Sequence, residues 1–197
     1  MRLEDISAVL LASGLARRFG GDKLMARLND APVLQHAAKA LEDLPFLQKI
    51  AVVGADQAGR RRLLEARGWT IVDNPSPESG QGASLALGAQ AALNGPGEAV
   101  LIALGDMPFA PGAHYAALGA ALAGDVQAAM TVSQDIPMPP AVFRTDVSAS
   151  LVKLGGDRGA RAVFDRLDTT QTVPLSPHLA KDVDTREDLR SAEAAHG

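Results

Sequence analysis

Short continuous apolar runs alternate along this chain with longer stretches whose apolar positions recur every three to four residues. Ile6 to Ala12 is apolar on both faces of an extended chain and reads as a buried strand. Val33 to Leu44 follows with helical periodicity, and Lys49 to Gly54 is the next strand. Gln57 to Arg67 is basic and amphipathic, Trp69 to Asp73 a third strand, and Ala83 to Leu93 a helix of small residues. Glu98 to Leu104 is again continuously apolar, Pro111 to Ala123 is helical, and Val126 to Ser133 is a fifth strand. Strands apolar on both faces, separated by helices, predict a mostly parallel sheet covered on both sides.

The pattern loosens after Ser133. Pro137, Pro139 and Pro140 break any helix and restrict strand pairing, so Ala141 to Arg144 is expected as a short edge strand. Ser148 to Leu154 and Arg158 to Leu167 read as helices, Gln171 to Leu175 as a weak strand, and Arg186 to Ala195 as a closing helix. No linker, repeat or low-complexity segment interrupts the chain, and one domain over residues 1–197 is expected. In open parallel sheets, ligands bind beyond the carboxyl ends of the strands. Those ends are Ser13 to Lys23, Asn74 to Gly82 and Gly105 to Pro108.

Composition narrows the function classes. A net charge of −4 without a long basic run argues against a nucleic-acid duplex or an anionic membrane as partner. There is no cysteine, so disulfides and thiolate metal sites are excluded, and His36, His114, His178 and His196 are too scattered to suggest zinc. Met1 to Ile6 is too polar for a secretory leader and no apolar run reaches about 18 residues, which makes the cytoplasm the expected location.

The first loop, Leu11-Ala12-Ser13-Gly14-Leu15-Ala16-Arg17-Arg18-Phe19-Gly20-Gly21-Asp22-Lys23, carries three glycines and three cations directly after a strand. Glycines let backbone N–H groups approach phosphate oxygens, while Arg and Lys neutralise their charge. It is not a P-loop, because Lys23 follows Asp22 and precedes Leu24, and the glycine spacing is wrong for a dinucleotide fingerprint. A solvated turn with surface charges is the competing reading. Gly105-Asp106-Met107-Pro108 places a carboxylate at the end of the fourth strand, in the same crevice. Such a hard oxygen ligand suits Mg²⁺, although an Asp in that place also forms turns.

Three further segments have capping readings beside functional ones. In Asp182-Val183-Asp184-Thr185-Arg186-Glu187-Asp188, Thr185 caps the last helix with Asp188 as its capping-box acid, which leaves Asp184 free. In Asn74 through Ser84, the Asn74 amide can read a base edge, and Gly80, Gly82 and Ser84 sit where backbone and hydroxyl meet a ligand, unless Ser79 or Ser84 simply caps a helix. In Gly155-Gly156-Asp157-Arg158-Gly159-Ala160-Arg161, glycine ends one helix and Asp157 starts another. Trp69 reads as core packing, His36 as structural, and Arg60, Arg61 and Arg62 as a solvated cationic helix face.

Taken in order, Leu-Ala-Ser-Gly with Arg17-Arg18-Phe19-Gly20 and Lys23, then Gly105-Asp106-Met107-Pro108, Asp182-x-Asp184-Thr185 and Gly156-Asp157-x-Gly159-Ala160-Arg161, resemble the MobA-like NTP transferase family. That family includes molybdenum-cofactor cytidylyltransferase, its guanylyltransferase relative and sugar-phosphate nucleotidyltransferases, and the cytidylyl branch is the nearest in pattern. The resemblance implies an α/β fold: a Rossmann-like three-layer α/β/α sandwich with a mostly parallel mixed sheet. It implies transfer of CMP from CTP to a phosphorylated acceptor, molybdopterin cofactor, with release of pyrophosphate and with a molybdoenzyme receiving the product. A guanylyltransferase, another NTP transferase, or a non-catalytic cofactor-delivery module is the alternative. The resemblance further implies catalytic roles for Arg18, Lys23 and Asp106, with Asp106 and Asp184 holding Mg²⁺. It implies a nucleotide site at Leu11, Ala12, Ser13, Gly14, Arg18, Lys23, Asn74, Gly80, Gly82, Ser84, Gly105 and Asp106, and an acceptor side at Asp157, Arg158 and Arg161. Ser13 departs from the alanine usual in the cytidylyl branch and the glycine usual in the guanylyl branch.

Overall fold

The computed structural model describes residues 1–16 and 18–196, with side chains to residue 193. Arg17 of the first loop and the His196 ring lie outside the described residues. The chain runs β1 (Ile6–Leu11), β2 (Arg27–Leu28), β3 (Ala31–Pro32), α1 (Val33–Glu42), β4 (Gln48–Gly54), α2 (Ala58–Glu65), β5 (Thr70–Asn74), α3 (Gln81–Leu93), β6 (Ala99–Leu104), α4 (Gly112–Ala121), β7 (Ala128–Ser133), β8 (Ile136–Arg144), α5 (Thr145–Ser148), α6 (Arg161–Phe164), β9 (Thr170–Pro174) and α7 (Arg186–His196). Seven strands form one sheet in the order β5-β4-β1-β6-β8-β7-β9, with only β8 antiparallel to its neighbours.

The continuous apolar strands are explained by what covers them. Ile6, Ala8 and Leu10 of β1 and Leu101 of β6 face a core shared with Leu34 and Leu41 of α1, Leu64 of α2 and Leu118 of α4. Val9, Val52 and Ile102 face the opposite core, with Leu85 and Ala89 of α3 and Phe164 of α6. The result is the three-layer α/β/α sandwich. Among the described residues, no helix is long and apolar enough to cross a membrane.

Two expectations for the C-terminal third need correction. The proline-bearing segment is not an edge strand: β8 spans nine residues and lies between β6 and β7. The prolines are tolerated because of register. Met130 pairs with Ala141 and Thr131 with Met138, so Pro139 and Pro140 fall in a bulge where no ladder N–H is required. β6 pairs only Ala141 to Arg144, beyond the prolines. The Thr131 hydroxyl donates to the Pro140 carbonyl at 2.7 Å and meets His114 Nε2 at 2.8 Å, and burial holds the His114 pKa below its ordinary value.

Nor are Ser148 to Leu154 and Arg158 to Leu167 full helices. α5 and α6 are single turns, and the chain between them closes in three-residue steps such as Leu151 N–H to Ser148 O at 2.9 Å and Leu154 N–H to Leu151 O at 3.1 Å. Three glycines in a short span prevent propagation beyond the costly first turn. The β2–β3 hairpin was not foreseen, and turns at Asn29 with a φ of 55°.

α3 lies close on the sheet because Gly88 has no side chain. A Cβ there would run into Val9 Cγ1 and stand 2.9 Å from Val52 Cγ2. Gly88→Ala gains roughly 1 kcal/mol of helix propensity, but overpacking costs about 1–3 kcal/mol. The expected outcome is net destabilisation, read as a lower urea midpoint with an unchanged slope. A midpoint at or above wild type would mean that α3 stands off the sheet.

Candidate functional site

α1 and α2 cover one face of the sheet and α3 the other. β1 and β6 are parallel neighbours and end together at Leu11 and Leu104, and a crevice opens beyond these carboxyl ends. There a cleft of about 330 Å³ is lined by the first loop (Ser13, Gly14, Leu15, Ala16, Lys23), the start of α3 (Gly80, Gln81, Ser84), Leu11, Leu104, Asp106 and Asp157.

Lys23 is the centre of charge. It starts a 3-10 turn, Lys23–Met25, whose cap is Asp22: the Asp22 carboxylate accepts from Leu24 N–H at 3.2 Å and Met25 N–H at 3.3 Å. Lys23 Nζ donates to Asp106 Oδ2 at 2.8 Å and to Asp184 Oδ1 at 2.6 Å, and the lysine is buried. Burial works against the charge, but Asp106 and then Asp184 more than offset it and hold the ammonium above its ordinary pKa. Asp106 is delivered by β6, where Gly105 N–H continues the ladder to Leu11 O at 2.9 Å. A Cβ on Gly105 would meet Leu34 Cδ1 at 3.0 Å and Leu11 O at 3.1 Å, so its part is close packing. Asp184 arrives because Val183 N–H bonds Asp106 O at 2.9 Å. Its neighbour Asp182 has its carboxyl pKa raised by desolvation and then by repulsion from Asp184 and Asp106. As expected, Thr185 and Asp188 cap α7, with Asp188 N–H to Thr185 Oγ1 at 3.1 Å and Thr185 N–H to Asp188 Oδ2 at 2.8 Å. Arg18 stands at the rim, largely exposed, 3.7 Å from Asp184 Oδ2.

The loop is gripped from outside. Arg60 of α2 is 2% exposed, which overturns the expectation of a solvated cation. Its Nε and Nη2 hold the Asp22 carboxylate at 2.8–3.1 Å. Its Nη1 donates to Ala12 O at 2.7 Å and Gly14 O at 2.9 Å. Gln57 Nε2 donates to Ser13 O at 3.0 Å. At the far end, Arg186 donates to Phe19 O at 3.3 Å, with its guanidinium 5.4 Å above the Phe19 ring. These contacts were missed in the sequence. One signal was available: Arg60 lies four residues before buried Leu64, on the inward stripe of α2.

Behind the loop lies a buried polar cluster. Ser13 Oγ and Ser84 Oγ are 2.5 Å apart, and Asn74 Nδ2 donates to Ser84 Oγ at 3.0 Å. Asn74 Oδ1 accepts from Ser76 N–H at 2.9 Å. The Asn74 amide, expected to read a base, is buried and committed within the protein, and does not line the cleft. Gly80, with a φ of 91°, and Gly82 serve close packing: a Cβ on either would strike the 155–158 backbone. Gly82 N–H bonds Gly156 O at 2.8 Å, and α3 starts at Gly80 without a side-chain cap. Neither Ser79 nor Ser84 caps it.

On the acceptor side, Asp157 lines the cleft, whereas Arg158 faces a separate depression with Lys153 and Arg166. Arg161 is exposed and pairs with Asp165 at 3.4 Å one turn on. His36 is structural, its Nε2 2.9 Å from Leu28 O, and Trp69 is buried in the core with no hydrogen-bond partner for its Nε1 among the described residues.

Known proteins are similar to this chain in sequence and fold to different extents. A protein of Pyrococcus horikoshii described as a probable molybdenum cofactor guanylyltransferase is 29% identical over 104 residues, covering 51% of this chain and 48% of that protein. The chain thus spans about half the length of the molybdenum-cofactor relatives it matches. The crystal structure of an Rv0371c homologue from Mycobacterium sp. strain JC1 superposes with a TM-score of 0.83 at 25% identity, over 99% of this chain and 98% of that one. Rv0371c of Mycobacterium tuberculosis H37Rv in complex with manganese has the same fold, with a TM-score of 0.78 at 21% identity over 96% and 98% of the two chains. Residues 8–171, which include the first loop, the grip of α2 and the Asp106 turn, match the model of the MobA-like NTP transferase domain, and the chain belongs to that family.

Proposed function

We propose that this chain transfers CMP from CTP to a phosphorylated acceptor, the molybdenum cofactor, with release of pyrophosphate. The observation that carries the reading is one buried ammonium held by two carboxylates from distant segments, at the mouth of a cleft lined by glycine-loop backbone. A phosphate oxygen of the acceptor forms the new bond to the α-phosphorus. The bond from that phosphorus to the bridging oxygen breaks, and pyrophosphate leaves with the electron pair. The acceptor is already anionic, so no covalent nucleophile from the protein is needed; positioning and charge neutralisation suffice.

Asp106 and Asp184 fit a divalent cation. Both carboxylates already converge on a single positive charge, and among the described residues no group of three or more acidic or histidine side chains forms an all-protein cage. Mg²⁺ takes one or two carboxylates and completes its shell with phosphate and water. When bound there, Mg²⁺ supplies Lewis-acid neutralisation of phosphate charge. Manganese in the complex of the M. tuberculosis protein of the same fold supports a divalent ion as cofactor. Lys23 and Arg18 neutralise the triphosphate, and loop backbone orients it.

For the base, Ser13 favours CTP. Its hydroxyl, tied to Ser84, fills cleft wall where the guanylyl branch carries glycine, and a purine has less room against it. A GTP-using enzyme is the second reading, favoured by relatives described as probable molybdenum cofactor guanylyltransferases.

Asp106→Asn keeps the size of the side chain and leaves Asp184 beside Lys23. Turnover is expected to fall about a hundredfold or more, the consequence of losing ~3 kcal/mol or more of transition-state stabilisation. Pyrophosphate release at near wild-type rate from a folded variant would remove Asp106 from the chemistry. Lys23→Met is expected to weaken CTP binding by about tenfold to a hundredfold, the size of a lost charged hydrogen bond, with cytidine binding unchanged. Calorimetry with both ligands decides, and equal losses would mark Lys23 as structural. Ser13→Gly is expected to raise kcat/KM for GTP relative to CTP by about tenfold, the scale of one pocket contact. A wild-type protein that already prefers GTP would replace the cytidylyl reading with the guanylyl one.

A further inference from the structure

Three successive carbonyl groups of the first loop are all bound from the same side. Ala12 O and Gly14 O accept from Arg60 Nη1, and Ser13 O accepts from Gln57 Nε2. Gln57 is itself fixed, since its Oε1 accepts from Gly54 N–H at 2.9 Å at the end of β4. Arg60 is fixed by the Asp22 carboxylate, which occupies the opposite fork of its guanidinium. Among the described residues the only cis peptide is Pro139–Pro140, so the loop peptides are trans. In a trans peptide the N–H points opposite to the carbonyl of the preceding residue. With the carbonyls of Ala12, Ser13 and Gly14 turned to α2, the N–H groups of Ser13, Gly14 and Leu15 are turned away from it. On that side lies the cleft, which these three residues line. Among the described residues, none of the three N–H groups donates a hydrogen bond.

We propose that Gln57 and Arg60 are positioning residues: by binding three loop carbonyls from behind, they aim the N–H groups of Ser13, Gly14 and Leu15 into the cleft as a cradle for the triphosphate. The role of the cradle rests on the nucleotidyltransferase reading above; the orientation of the loop does not. Successive N–H groups pointing one way form an anion-binding concavity. Arg60 is suited to the task by its fork, which grips a carboxylate on one edge and two carbonyls with the remaining nitrogen. A lysine offers a single point of charge and cannot hold all three partners in this geometry.

The test uses the full chain as Gln57→Leu, Arg60→Met and Arg60→Lys. Amide hydrogen exchange is followed in the protein without nucleotide, and binding of CTP, inorganic pyrophosphate and cytidine by calorimetry. Loss of either side chain is expected to speed exchange over residues 12–25 by about tenfold while β4 and β6 stay protected. CTP and pyrophosphate affinity is expected to fall by about tenfold, with cytidine affinity within about twofold of wild type, because the lost contacts are to phosphate. Arg60→Lys is expected to resemble Arg60→Met, whereas rescue by lysine would mean that bulk charge, not geometry, is what Arg60 supplies. Unchanged loop exchange, or equal losses for cytidine and CTP, would also overturn the proposal. Gln57 is only half-buried, so Gln57→Leu carries the same readouts should a buried Arg60→Met fail to fold. A wild-type protein that binds no nucleoside triphosphate would sink the enzymatic reading, while loop exchange and pyrophosphate binding would still decide the cradle.

Discussion

Asp106 and Asp184 are brought together from the end of β6 and from the segment before α7, and two carboxylates at such a distance repel one another. Lys23 makes their proximity possible. Its ammonium is the shared counter-ion, and the pair in turn compensates the cost of burying it. The interaction therefore joins three segments distant in sequence: the first loop, the Asp106 turn and the C-terminal segment. It also keeps a positive charge between the two carboxylate oxygens. The Lys23 ammonium is held in its charged form by the two carboxylates beside it.

That cluster needs a fixed loop, and fixing is done by groups outside the cleft. α2 grips the first half through Gln57 and Arg60, and Asp22 braces the turn that presents Lys23. Arg186 of α7 takes the far end at Phe19. On the opposite wall, Ser13, Ser84 and Asn74 satisfy one another in a buried network. The side chains of Gln57, Arg60, Asp22 and Arg186 are thus committed to the scaffold, while loop backbone, Lys23 and Asp106 line the cleft. Polar residues near a cleft thus divide into those that line it and those that hold its walls, and the division follows hydrogen-bond partners rather than residue type.

This division marks the limit of what the sequence reveals. The apolar runs of β1, β4 and β6 were legible because a strand apolar on both faces can only lie between two layers. The crevice at their ends was legible because open parallel sheets place it beyond the carboxyl ends, and the structure brings the first loop and Asp106 together there. Asn74 was misjudged because its amide is equally suited to a base edge and to a serine hydroxyl, and only the neighbours decide. Arg60 was misjudged because two of its neighbours in a triple-arginine run are indeed partly exposed. The inward partner, Asp22, lies in a different segment whose approach no local pattern encodes. β8 was hidden by its prolines, since whether a proline costs a ladder bond depends on the register of the partner strand, and the shift after Met130 removes that cost. The 148–167 segment has helical periodicity yet forms separate turns, because periodicity reports which residues face the core and not whether glycines allow the helix to propagate.

Strand direction, finally, accounts for how the second carboxylate reaches the site. β6 is the last of four parallel strands, and β8 beside it runs the other way. That reversal returns β7 to the direction of β6, and β9 pairs parallel with β7. Both strands therefore end on the edge of the sheet where β1 and β6 end. The chain leaves β9 at Pro174 on that edge, bonds Leu175 N–H to Val132 O at 3.0 Å, and crosses to Asp106, where Val183 docks. With β9 reversed, the segment that carries Asp184 would begin at the opposite edge and would have to travel the length of the sheet. The reversal at β8 within the seven-stranded sheet is thus what lets a short C-terminal segment bring a carboxylate to Lys23, and then lets α7 fold back to hold Phe19 of the loop that Lys23 belongs to.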